Sequence, residues 1–217
     1  ICSPCCHQQI RPQLKSPPML APTSLTLHPG QFVGVIGPNG AGKSTFYEQV
    51  LKPNVKAPFI NADIIQKTEL SDQSMTGAYA AAALAAKRRD EYLVQKNSFV
   101  TESTFSHPSK LELLQQARAA GFIIMVFHVG VADAELSVRR VALRVTEGGH
   151  DVPEDKIRQR FARNKALIRQ AVLQADLGLV YDNSQLNRKP ELLFSFQRGQ
   201  LSQRVASTAW ASELYGV

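Results

Sequence analysis

Short apolar runs alternate along this chain with longer segments of helical periodicity. The apolar runs predict strands over Gln31–Ile36, Pro58–Asn61, Ser98–Thr101, Phe122–Val129 and Leu177–Tyr181, with Glu191–Phe196 as an edge strand. Helical spacing or Ala-rich composition predicts helices over Ser44–Leu51, Gly77–Gln95, Ser109–Ala120, Ala134–Val145 and Pro153–Val172. Because strands and helices alternate, we expect an α/β fold, with a mostly parallel sheet and helices on both faces.

The chain's 217 residues suffice for one such domain. Residues 1–24 are rich in proline and predict an irregular tail, and residues 25–217 predict a single domain. Cys2, Cys5 and Cys6 all lie in that tail, which excludes a disulfide framework and favours reducible thiols over a metal site. Since no apolar run is long enough to cross a bilayer, we expect a cytoplasmic protein without membrane contact.

Positive charge is concentrated in one part of the chain. The formal net charge is +7, which indicates an anionic partner. Residues 31–136 contain ten basic and ten acidic residues, whereas residues 137–170 contain nine basic and four acidic ones. Aromatic residues are only 7% of the chain and do not alternate with basic ones. This distribution argues against a nucleic-acid surface and favours the phosphates of a bound nucleotide.

A phosphate-binding loop follows the first predicted strand and precedes a helix. Its residues are Gly37, Pro38, Asn39, Gly40, Ala41, Gly42, Lys43, Ser44 and Thr45, and the first eight fit G-x-x-x-x-G-K-[ST]. The glycines let backbone N–H groups point at phosphate oxygens, and the positive end of the helix dipole adds to the attraction. Lys43 is expected to reach the β- and γ-phosphates of ATP, and the Ser44 hydroxyl to ligate Mg²⁺.

Acidic and hydroxyl side chains follow the next two predicted strands. Asn61 and Asp63 follow the second strand, and Glu102 and Thr104 follow the third. The carboxyl ends of parallel strands share one edge of a sheet, so these residues are expected beside the loop. Asp63 there could accept a proton from an attacking hydroxyl, but capping of the following helix explains it equally simply. Glu102 and Thr104 could hydrogen-bond a substrate, but capping of the next helix is the simpler explanation for that segment.

Two arginine-bearing helices follow, joined through Gly148 and Gly149, and predict a small helical lid over residues 134–172. Arg144 in the first helix, with Arg158 or Arg160 in the second, could bind phosphate oxygens and stabilise the transferring phosphoryl group. Closure of a lid would also exclude water. An ordinary solvated basic face is the simpler alternative.

These segments together resemble the zeta-toxin family of small P-loop kinases, in particular its compact bacterial branch. The resemblance spans about residues 31–190. The residues that carry it are Gly37–Thr45, Asn61–Asp63, Thr101–Thr104, Arg144 with Gly148–His150, Val152 and Pro153 with Arg158 and Arg160, and Tyr181–Ser184. Where the compact branch often has Glu-Thr-Thr, this chain has Glu102-Ser103-Thr104, which keeps both hydroxyls.

The resemblance implies an ATP- and Mg²⁺-dependent kinase with a P-loop NTPase fold. Its acceptor would be a hydroxyl of UDP-N-acetylglucosamine or a related UDP-sugar, and a small neutralising antitoxin protein could exist as its partner. It implies that Asp63 is the general base, that Glu102 and Thr104 contact the sugar nucleotide, and that the arginines clamp the phosphates. Two other functions stay open: a kinase of nucleic-acid ends or nucleosides, and an ATP-gated module of the transporter-ATPase type.

Overall fold

The computed structural model describes residues 28–72, 74–147, 149 and 151–217. The predicted tail of residues 1–24, with its three cysteines, lies outside the described residues. Gly148 and His150 of the predicted lid connection lie outside them as well.

Within the described residues, seven strands form one sheet. They are β1 (Gln31–Ile36), β2 (Phe59–Ile60), β3 (Phe99–Ser103), β4 (Ile123–Gly130), β5 (Leu177–Asp182), β6 (Glu191–Gln197) and β7 (Gln200–Arg204). Their order is β2-β3-β1-β4-β5-β6-β7. The first five pair in parallel, and β6 and β7 are antiparallel additions. The predicted mostly parallel α/β sandwich is confirmed.

Helices cover both faces of this sheet. They are α1 (Lys43–Phe46, continued by a π-helical segment Tyr47–Leu51), α2 (Ala62–Ile65, continued by a π-helical segment Gln66–Leu70), α3 (Met75–Val94), α4 (Ser109–Ala119), α5 (Ala134–Thr146), α6 (Glu154–Gln174) and α7 (Ala209–Tyr215). Alternate strand residues point to opposite faces. Phe32 of β1 therefore packs in the core under α3, α4, α6 and α7, whereas Val33 packs in the core under α1.

The prediction that Glu191–Phe196 is an edge strand is wrong. β6 lies between β5 and β7, and its Leu193 and Phe194 are fully buried. The edge strand at this end of the sheet is β7. All five of its residues are exposed, so the sequence contains no apolar run that would predict it. Arg198 and Gly199 both have positive φ, 48° and 81°, and this turn closes the β6–β7 hairpin.

The predicted lid has a small core of its own only where α5 meets the start of α6. Val138 and Val141 of α5 pack there against Val152 and Ile157. Further along α6, Ile168 belongs to the main core beneath the sheet. The second half of α6 is therefore fixed to the body of the protein. None of the helices in the described part of the chain is long and apolar enough to cross a membrane.

Candidate active site

Close packing around glycines shapes the loop after β1. Gly42, just before α1, has a φ of 82°. A Cβ added there would lie 2.5 Å from Nδ2 of Asn183. A Cβ on Gly37 would lie 2.1 Å from the carbonyl oxygen of Val129. The loop therefore passes so close to its neighbours that side chains at these two positions would displace it from its phosphate-binding shape.

The loop's lysine and serine both meet one carboxylate. Nζ of Lys43 is buried, donates to the carbonyl oxygen of Pro38 at 3.0 Å and lies 3.6 Å from Oε1 of Glu102. Oγ of Ser44 donates to Oε2 of Glu102 at 2.7 Å. Glu102 is itself only 12% exposed. The carboxylate predicted for the acceptor site therefore also contacts the two side chains predicted to bind phosphate and metal.

Sheet register explains why Glu102 reaches this position. Glu102 pairs with Val35 of β1, one residue before the strand ends, so it lies beside the start of the loop. On its other side, Ile60 of β2 pairs with Thr101, which places the next residue, Asn61, within reach. Nδ2 of Asn61 donates to Oε2 of Glu102 at 2.8 Å. Three parallel strands thus converge on one carboxylate.

Asn61 is also the N-cap of α2. Its Oδ1 accepts hydrogen bonds from the backbone nitrogens of Asp63, at 2.8 Å, and Ile64, at 3.3 Å. Capping, the alternative reading of Asp63, is therefore done by Asn61. Asp63 lies exposed in the first turn of α2.

All four residues predicted for acceptor binding line one cleft of about 210 Å³: Asn61, Asp63, Glu102 and Thr104. The sheet edge brings them together as the strand ends predicted. Arg89 and Lys110 line the same cleft, although no motif in the sequence marks either residue. The cleft adjoins the phosphate loop through Glu102, which contacts both.

On its other side the phosphate loop is held by the segment after β5. Nδ2 of Asn183 donates to the carbonyl oxygen of Ala41 at 2.8 Å. Nη1 of Arg140 in α5 donates to the carbonyl oxygen of Asn183 at 2.7 Å. The sequence shows Asn183 only as part of the segment Tyr181–Ser184, and nothing in its spacing indicates a contact 142 residues away.

The predicted clamp arginines occupy different environments. Nε of Arg158 donates to Oε1 of Glu135 at 2.7 Å, and its Nη1 donates to Oε2 of Glu154 at 2.9 Å. These two carboxylates raise the pKa of Arg158 above its usual range. Arg158 therefore joins α5 to α6 on the exposed side of the pair.

Arg160 lies on another flank of α6. It precedes Asn164 by one helical turn, and residues four apart share a helix face. Nδ2 of Asn164 donates to the carbonyl oxygen of Thr104 at 2.9 Å, at the rim of the cleft. Arg160 thus shares a helix face with Asn164. However, Arg144, Arg158 and Arg160 are not among the residues that line the cleft. Arg144 is half-buried in α5, next to Gly149.

A buried histidine lies beneath the phosphate loop. His128 of β4 shares a small cavity with Pro38 of the loop and with Trp210 of α7. Its Nδ1 is 2.9 Å from the hydroxyl of Tyr215. Burial, and to a lesser extent the positive charge of Lys43, lower the pKa of His128 to about 3. The imidazole is therefore neutral near pH 7 and belongs to the core.

The residues present fit a nucleoside triphosphate with Mg²⁺. The glycine loop, the buried ammonium of Lys43 and the hydroxyl of Ser44 suit phosphate and metal. Oδ1 of Asn39, in the loop, is buried without a hydrogen-bond partner among the described residues. The described residues contain no group of three His, Cys, Asp or Glu side chains that could hold a metal. Mg²⁺ would therefore be held by Ser44 and Glu102 together with phosphate oxygens of the nucleotide.

Comparisons with known proteins agree with this architecture. The profile of an AAA domain family, AAA_33, matches residues 33–167. An uncharacterised protein of Haemophilus influenzae is 27% identical over 126 residues, which cover 58% of this chain and 88% of that protein.

Two solved structures share the fold. A chain of the AvrRxo1-ORF1:-ORF2 complex solved with ATP has a TM-score of 0.63 at 14% identity, over 84% of this chain and 62% of the other. A chain of the PezAT toxin–antitoxin system of Streptococcus pneumoniae has a TM-score of 0.56 at 14% identity, over 80% of this chain and 74% of the other. The present chain thus spans less than two thirds of the AvrRxo1 complex chain, and at these identities the likeness extends to the fold alone.

Proposed function

Because the chain belongs to the AAA_33 family of AAA domains, we propose that it is a kinase that transfers the γ-phosphate of ATP to a hydroxyl of a small molecule. The observation that carries the proposal is the link through Glu102 between the phosphate loop and the cleft. One carboxylate contacts Lys43 and Ser44 and also lines the cleft in which Asp63 lies.

The chain's own residues have distinct roles in this proposal. Lys43 and the loop amides bind the β- and γ-phosphates, and Ser44 and Glu102 would hold Mg²⁺. Bound Mg²⁺ would neutralise charge on the phosphates. Asp63 accepts the hydroxyl proton as the acceptor oxygen bonds to the γ-phosphorus, while the bond from that phosphorus to ADP breaks.

The cations of the lid complete the proposed site. Arg160 and Arg144 stabilise negative charge on the transferring phosphoryl group. Arg158, paired with Glu135 and Glu154, positions α6 against α5 and acts through that contact. Asn164 holds α6 at the rim of the cleft through Thr104.

The acceptor in this proposal is a UDP-sugar such as UDP-N-acetylglucosamine, in line with the resemblance to the zeta-toxin family. The same resemblance suggests an inhibitory protein partner. The proposal of a protein partner is supported by the PezAT toxin–antitoxin system and by the AvrRxo1-ORF1:-ORF2 complex, because a chain of each shares this fold. Incubation with ATP, Mg²⁺ and a panel of UDP-sugars, nucleosides and oligonucleotides, followed by mass spectrometry, identifies the compound that gains a phosphate.

The substitution Asp63→Asn tests the mechanism. We expect kcat to fall at least about 100-fold, because the amide cannot accept the proton, while the Kd for ATP measured by calorimetry stays unchanged. Asp155→Asn, an exposed change in the first turn of α6, is the matched control and should keep full activity. Full transfer by the Asp63 variant would remove Asp63 as the base. If the activity is toxic, wild-type chain should arrest growth of an expression host and Asp63→Asn should not.

A further inference from the structure

Two basic side chains form one wall of the cleft beside Asp63. Arg89 lies in the second half of α3, and Lys110 lies in the first turn of α4. Both line the cleft together with Asp63 and Thr104. Both also line a smaller adjoining cavity against the sheet. Helices from two different parts of the chain therefore bring two cations to the place where an acceptor would bind.

No side chain in the described part of the protein neutralises these cations by contact. Neither Arg89 nor Lys110 makes a side-chain hydrogen bond or ion pair there, and Asp90 attracts Arg89 only at longer range. Burial lowers the pKa of both groups, and the charge of Arg89 lowers the pKa of Lys110 further. Holding two half-buried like charges side by side costs free energy. An anion between them would recover that cost.

The neighbouring arginine, Arg88, differs from Arg89 because it has an acidic partner within the protein. Arg88, next to Arg89 on α3, forms a bidentate ion pair with Glu69, in which Nη1 lies 2.7 Å from Oε1. Glu69 does not line the cleft. The arginine outside the cleft is thus paired within the protein, whereas the arginine inside it is left to a ligand.

The cleft also has room for a ligand at these cations. Ala82 and Ala85 of α3 line it, so its wall next to Arg89 is made of the smallest side chains. Its volume of about 210 Å³ lies below the 300–1,000 Å³ usual for drug-sized ligands. The space suits a small molecule, or the charged part of a larger one.

We infer that Arg89 and Lys110 form a subsite for an anionic group of the acceptor, a carboxylate or a phosphate. This inference rests on the proposed function, because it takes the cleft as the acceptor site. An anion there accepts charge-assisted hydrogen bonds from both side chains. A neutral polyol would leave both cations unpaired. The substrate class that follows is an anionic compound with a hydroxyl that reaches Asp63.

Calorimetry on the full chain, saturated with Mg²⁺ and a non-hydrolysable ATP analogue, tests this inference. The probes are glycerol, glycerate, glycerol 3-phosphate and UDP-N-acetylglucosamine, which present no charge, a carboxylate, a phosphate and a diphosphate. We expect at least one anionic probe to bind at least tenfold more tightly than glycerol. Arg89→Gln and Lys110→Gln should each weaken that binding about tenfold or more. Arg88→Gln is the matched control and should bind like the wild type.

The outcomes separate this inference from the proposed function. Absence of anion binding, equal binding of glycerol and the anions, or anion binding that neither variant weakens would each overturn the subsite. Failure of the ATP analogue to bind would instead contradict the proposed function. Thermal melting without ligand checks the variants: since each removes one of two like charges, each should melt at or above the wild-type temperature.

Discussion

Glu102 is the residue on which the candidate site depends most. Its carboxylate accepts hydrogen bonds from Ser44 and Asn61 and lies near the ammonium of Lys43. Each of these groups comes from a different strand end or from the loop. Binding of Mg²⁺ at the Ser44 hydroxyl would replace a hydrogen bond that the chain already makes. The carboxylate therefore keeps the serine side chain oriented in advance.

Arg158 and Arg160 should respond differently to substitution. Arg160→Ala should lower kcat about 100-fold, because it removes a cation that we propose to stabilise the transferring phosphoryl group. Arg158→Ala should change kcat less than about tenfold, and should lower the melting temperature by a few degrees through loss of its pairs with Glu135 and Glu154. Activity assays and thermal melts of the two variants make the comparison. Equal losses of kcat would contradict the assignment of Arg158 to helix positioning.

Residues of the site differ in how far sequence could predict them. The phosphate loop from Gly37 to Thr45 could be predicted because its spacing is local. Asp63 and Glu102 could be placed at the same sheet edge because parallel strands share that edge. The contact between Glu102 and Ser44 depends on the register of β1 against β3, and the pairing of Arg158 with Glu135 depends on how two helices pack. Neither contact can be predicted from a local sequence pattern, because each depends on how distant segments pack.

At the scale of elements, the phosphate loop lies between two supports. β3 supports it on one side through Glu102, and the segment after β5 supports it on the other through Asn183. Arg140 of α5 in turn holds the backbone of Asn183. The loop is therefore held in its shape by strands on both sides of β1 and by α5, the first helix of the predicted lid.

Loss of the second support should weaken nucleotide binding. Asn183→Ala leaves the carbonyl oxygen of Ala41 without its 2.8 Å hydrogen bond and opens space beside Gly42. We expect the Kd for ATP to rise about tenfold, with a loss of stability of about 1 kcal/mol. Titration calorimetry and urea unfolding measure the two quantities. Asn97→Ala, at an exposed site after α3, is the control and should leave ATP binding unchanged. Unchanged ATP binding in the Asn183 variant would show that the loop keeps its shape alone.

The elements that sequence could not predict are those with weak local signals. α7 has seven residues, and β7 has five exposed ones. α7 is held by long-range contacts: Nε1 of Trp210 donates to Oδ1 of Asp182 at 2.8 Å, and the Tyr215 hydroxyl meets His128. The buried parallel strands β1, β4 and β5 could be predicted because their apolar runs satisfy both faces of the sheet at once.

For the whole molecule, the buried His128 links folding to pH. Its pKa of about 3 in the folded protein lies below the ordinary value of 6.5, so the folded protein keeps the imidazole neutral where the unfolded chain binds a proton. The stability that this group contributes is complete above pH 6.5 and is lost as pH falls toward 3. Between pH 7 and pH 5 the loss is about 2 kcal/mol.

Replacement of this histidine should remove that part of the pH dependence. The free energy of unfolding of His128→Asn, measured by urea at pH 7 and pH 5, should fall about 2 kcal/mol less than that of the wild type. His107→Asn, at an exposed histidine, should follow the wild type. A His128 variant that loses as much stability as the wild type would mean that the imidazole becomes protonated in the folded protein.

The position of Trp210 has a practical consequence, because it is the chain's single tryptophan. Its ring lies against Gly130 and edge-on to His128, and it lines a small cavity together with Pro38 of the phosphate loop. The tryptophan fluorescence of the protein therefore has one source, which lies beneath the phosphate loop. The unlabelled protein carries its own optical reporter, whose emission follows the packing of the C-terminal helix under the loop.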